Sequence, residues 1–93
     1  MPAYVICYFE RRPVSAQATR EAIAQKVAAR WKSVGFALDG FWVVQADATS
    51  DQIRDDLITV VPDGHGLIVL SLGQDAAWAG IETSESNWFV EHL

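Results

Sequence analysis

Two short segments of this chain, Ala3–Phe9 and Leu67–Leu72, are apolar at almost every position. Both are rich in β-branched, aromatic or aliphatic residues and too short for a typical helix, so both read as strands. Successive side chains of a strand point to opposite faces of its sheet. The first segment therefore carries Val5, Cys7 and Phe9 on one face and Tyr4, Ile6 and Tyr8 on the other. Both sets must be covered, which calls for a layer on each side of the sheet. The chain has 93 residues, about one small domain's worth of material for the task.

The remaining segments supply the other elements. Pro13 ends the first strand, because it has no N–H for a ladder. Ser15–Ser33 reads as an amphipathic helix with Ser15 as N-cap, the stripe Ile23, Val27, Trp31 and Val34, and Gly35 in the left-handed position after its end. Asp39-Gly40 between Phe36–Leu38 and Phe41–Ala46 is a hairpin signal, since both turn residues favour positive φ. Thr49 and Gln52 match the capping box of a second helix, with Ile53, Leu57 and Val60 or Val61 on its buried side. Pro62–Gly66 turns the chain into the last strand, with His65 read as a turn residue. In the tail, Ala76–Ile81 reads as a very short strand, and Ser84 or Ser86 as the cap of a final helical turn or two.

The expected order is strand, helix, strand, strand, helix, strand, then a tail: an α+β, ferredoxin-like βαββαβ arrangement with two helices on one face. One domain, residues 1–93, accounts for the chain. The second face is too apolar for water, so either the tail or a second copy covers it, and a homodimer is the simpler solution. Tyr4, Tyr8, Trp42, Trp78 and Trp88 are the expected packing residues of that cover, since aromatic anchors dominate interfaces.

Composition narrows the classes further. Hydrophobic residues make up 51% and charged residues 20% of the chain, which excludes intrinsic disorder. The longest purely apolar run, Ala3–Phe9, is far below the roughly 18 residues of a membrane span. The N-terminus has no basic stretch of the kind that opens a signal peptide, and Cys7 has no second cysteine to pair with. A cytoplasmic location and no membrane partner are expected. The net charge of −5 divides into +4 over the first 38 residues and −9 over the rest. Arg11, Arg12 and Arg20 form a candidate nucleic-acid-binding rim at the basic end, for which the acidic body implies weak binding or none.

An ordered set of segments then carries a resemblance. Ile6-Cys7-Tyr8, Leu38–Val44, Thr49–Leu57, Gly66–Leu72, Trp78-Ala79-Gly80 and Ser86–Leu93 together resemble the small SinR-like proteins. These are related to the CRISPR-associated ferredoxin-like adaptation subunit, within the virulence-associated-protein-D-like superfamily. The likeness spans nearly the whole chain and is least from Glu10 to Val34. It implies a ferredoxin-like homodimer that contacts DNA backbone through basic residues. It also implies, for some members, a metal-dependent nuclease built on an Asp at the end of the first strand. Here that position holds Phe9. The nearest carboxylate, Glu10, is one residue late and so on the opposite face. Phe9 neither ligates a hard metal nor activates water.

No other constellation carries catalysis. His65 and His92 lack a metal-ligand spacing. Cys7 lies mid-strand in an apolar run, as a small buried hydrophobe does. Asp51, Asp55 and Asp56 suit the N-terminal half of a surface helix. No cofactor and no metal are expected. The reading is a non-catalytic dimeric interaction module with a possible protein partner. The alternatives are a metal-dependent endonuclease or a non-specific nucleic-acid clamp on the basic first third.

Overall fold

The computed structural model describes residues 2–10, 17–36, 40–73 and 75–93. Strand β1 is Ala3–Glu10, helix α1 Gln17–Arg30, β2 Lys32–Phe36, β3 Phe41–Gln45, α2 Ser50–Leu57, β4 His65–Leu72 and α3 Thr83–His92. A 3-10 turn, Ile58–Val60, extends α2. The four strands form one antiparallel sheet in the order β2-β3-β1-β4. β1 and β2 thus run parallel with β3 between them, and β3 and β4 run parallel with β1 between them.

The register assigns the two faces. Tyr4, Ile6 and Tyr8 share one face with their partners Val44 and Trp42 on β3 and with Ser71, Val69 and Leu67 on β4. Ile23 and Val27 of α1 and Ile53 and Leu57 of α2 join these residues in a single buried cluster. Both helices therefore lie on this face. The helices are tied to each other at Asp56, which pairs with Arg30 at 2.8 Å and Lys26 at 3.7 Å. The α2 capping box is present: Gln52 N–H donates to Thr49 Oγ1 at 3.2 Å, and Thr49 N–H to Gln52 Oε1 at 2.9 Å.

Several expected boundaries are corrected. The first helix stops at Arg30, and Lys32–Phe36, expected as the helix end and the run beyond it, is β2. The apolar spacing of Val34 and Phe36 serves a strand as well as a helix, and pairing with β3 decides between them. Gly35 is a strand residue without positive φ. Phe36 pairs with Phe41, so four residues, not Asp39-Gly40 alone, connect β2 to β3. Gly40 has a φ of 74°, as turn chemistry requires, and Tyr8 N–H donates to its carbonyl at 2.7 Å. His65 is the first residue of β4 and sits opposite Glu10. The segment Ala76–Ile81 contains no strand, and α3 starts at Thr83, with Glu82 N–H held by Glu85 Oε1 at 2.9 Å. Pro13, Ser15 and Asp39 fall outside the described residues.

Gly35 is required for a packing reason. A Cβ there would lie 2.6 Å from the indole of Trp42, which is buried in the core. Gly73 has open space around it. Gly35→Ala is expected to cost about 1–3 kcal/mol through overpacking, and Gly73→Ala less than about 0.5 kcal/mol. Urea denaturation of the two variants checks this; equal stability would mean that the indole does not need the glycine.

Candidate interaction surface

The face away from α1 and α2 carries Val5, Cys7 and Phe9 on β1, Ile68, Leu70 and Leu72 on β4, Phe41 and Val43 on β3, and Val34 and Phe36 on β2. The tail covers part of it. Phe36 stacks on Phe41 at 4.5 Å, and Phe89 of α3 stacks on Phe36 at 6.4 Å between ring centroids. Gln45 Nε2 donates to the carbonyl of His92 at 3.0 Å, fixing the C-terminal end of α3 to β3. Phe89 and Val43 are the buried hydrophobic residues outside the helix-side cluster among the described residues. They belong to a second, smaller core over β2 and β3.

That core stops short of β4. Ile68 is 43% and Leu70 56% exposed. Cys7 lies opposite Ile68, and Val5 opposite Leu70; both are only half-buried. Phe9 lies across Gly66, where a Cβ would meet its ring at 2.1 Å, so an aromatic side chain fills the space above the glycine. The result is an apolar strip along β1 and β4, without an ionisable side chain other than the Cys7 thiol, beside a half-face that α3 closes.

The expected packing residues divide. Trp78 and Trp88 belong to the tail: Trp78 meets Phe89 tilted at 5.0 Å, Trp88 meets it edge-on at 5.9 Å, and Trp88 stacks on His92 at 4.3 Å. Trp78 donates its indole N–H to Ser86 at 3.0 Å. Tyr4, Tyr8 and Trp42, expected beneath the tail or a partner, are instead in the helix-side core. The two tyrosines reach polar partners at its edges: Tyr4 Oη donates to the Ala48 carbonyl at 2.5 Å, and Tyr8 Oη hydrogen-bonds His65 Nδ1. A phenol with a polar contact for its tip suits a buried position.

The basic end is less open than its charge count implies. Arg11 and Arg12 fall outside the described residues. Arg20 is half-buried on α1. Lys26 and Arg30 are held by Asp56, and Lys26 also donates to Thr59 Oγ1 at 3.0 Å. Arg54 pairs with Asp55 and Asp51 on its own helix surface, and its hydrogen bond to Asp55 raises the guanidinium pKa further. A shallow cleft of about 350 Å³, lined by Arg30, Trp31, Lys32, Gln45 and Asp47, mixes both signs of charge. Its Arg30 and Gln45 are engaged elsewhere.

Glu10 is exposed at the end of β1. Among the described residues, no three His, Cys, Asp or Glu side chains gather where a metal ion could be held, and no helix is long and apolar enough to cross a membrane. No family model and no curated protein matches the chain.

Phe89 is the buried side chain by which the tail meets the sheet. Phe89→Ala is expected to release α3, at a cost of about 3–5 kcal/mol to that contact, while the helix-side core stays folded. Limited proteolysis should then cut after Leu72, with a red shift in tryptophan emission from Trp78 and Trp88. An unchanged digestion pattern would show that α3 is held by something else.

Proposed function

We propose that this chain is a ferredoxin-like, non-catalytic interaction module that works as a homodimer, as the CRISPR-associated adaptation subunit it resembles in sequence does. Two interleaved β-α-β units in the strand order β2-β3-β1-β4 support the ferredoxin-like reading. The strip of Ile68 and Leu70 beside Val5 and Cys7 carries the dimer reading. The tail is already docked on the other half of this face, so it is not the cover for the strip. A second copy brings an identical apolar strip, and a two-fold axis joins the two. Phe9, in place of the acid of the resembled nucleases, supports a role without hydrolysis.

Magnitudes set the demands on the interface. Full burial of a leucine or isoleucine is worth about 1.5–3 kcal/mol, so the exposed halves of Ile68 and Leu70 in two copies add about 4 kcal/mol. Association costs at least about that much in lost freedom. Those four side chains alone do not hold a dimer; other contacts between the copies must add to them. Sedimentation velocity at micromolar concentration is expected to show a dimer, and Leu70→Asp, which sets two carboxylates against each other across the axis, a folded monomer. A wild-type monomer across this range would defeat the reading.

A further inference from the structure

β4 is an outer strand, and its own sequence lacks the proline and charged residues that normally blunt a sheet edge. The opposite edge, β2, is five residues long and carries an exposed Lys32. β4 is eight residues long, His65-Gly-Leu-Ile-Val-Leu-Ser-Leu72, with no Pro, Lys, Arg, Asp or Glu. In a chain of net charge −5, it is a neutral line along which two copies approach without repulsion between nearest neighbours.

The backbone directions follow from one hydrogen bond. Tyr8 N–H donates to Gly40, on the β3 side of β1. Backbone groups of alternate residues point to opposite sides of an antiparallel strand, so Val5, Cys7 and Phe9 address β4. Their partners Leu70, Ile68 and Gly66 turn inward, which leaves Leu67, Val69 and Ser71 turned outward. Among the described residues, no strand lies on that side of β4.

We infer that β4 pairs edge to edge with β4 of a second copy, antiparallel about a two-fold axis at Val69, so that two four-stranded sheets become one continuous sheet. The inference rests on the homodimer reading and names how the copies are held. In this register Val69 faces the partner's Val69, and Leu67 faces the partner's Ser71, so every outward N–H and C=O of the three residues is paired. Ile68 faces the partner's Leu70 in a close pair on the bare face, with Cα atoms about 4.5 Å apart. The half-exposed residues of the two copies thereby form one apolar patch across the axis. Backbone pairing supplies what the side chains alone lack.

Two variants test this. Ser71 is exposed, and Ser71→Pro removes an outward N–H at a position where an edge strand tolerates proline. Sedimentation should shift from dimer to monomer with the far-ultraviolet circular dichroism of the wild type. In the second variant, Cys7→Ser is combined with Ile68→Cys and Leu70→Cys. Opposed cysteines at the close pair fall within disulfide reach, so mild oxidation should give a covalent dimer on a non-reducing gel, whereas Cys7→Ser with Ile68→Cys alone should give none. If Ser71→Pro fails to fold, the cross-link decides. A wild-type dimer that survives Ser71→Pro, or that forms no cross-link in the double-cysteine variant, overturns edge pairing and leaves the homodimer standing. A wild-type monomer overturns both.

Discussion

β1 governs the structure because it is apolar on both sides and central in the sheet. Strands β3 and β4 flank it, so neither of its faces can be turned to solvent by moving it to an edge. Helices α1 and α2 satisfy one face completely: Ile6, Ile23, Ile53 and Leu57 are fully buried there. Among the described residues after β4, α3 reaches across β2 and β3 and no farther. The strip along β1 and β4 is left bare.

The elements most legible in the sequence are those fixed by local chemistry. Thr49 and Gln52 announce the start of α2 because two side chains answer two unpaired backbone N–H groups within four residues. The alternation in β1 is equally plain. The boundary between α1 and β2 is hidden because Trp31, Val34 and Phe36 satisfy a helical and a strand spacing together. Only pairing with β3, a contact with residues outside the segment, settles it. Gly35 looked like a helix terminator and is instead the floor beneath the Trp42 indole.

The candidate surface was half legible for a related reason. Alternation defines two faces of β1 but does not say which one receives the helices. Tyr4 and Tyr8 looked suited to an interface, yet the carbonyl of Ala48 and the ring of His65 let them be buried. The smaller aliphatic residues opposite them were left with the open side. Charge counting had a similar limit. The basic first third is visible in the sequence, but the approach of Asp56 to Lys26 and Arg30 joins residues about thirty positions apart. No sequence spacing signals that contact.

The central claim is that a second copy joins this chain at the β4 side of its sheet, where the bare strip meets the open edge, and at no other surface. Amide NMR spectra recorded as the protein is diluted through the dissociation range test it most directly. The account predicts that concentration-dependent shifts are confined to Val5, Cys7 and residues 67–72, with α1, α2 and the outer surface of α3 unchanged. Shifts centred on α1 or α3, or spectra that do not change with concentration in a monomer, would contradict it.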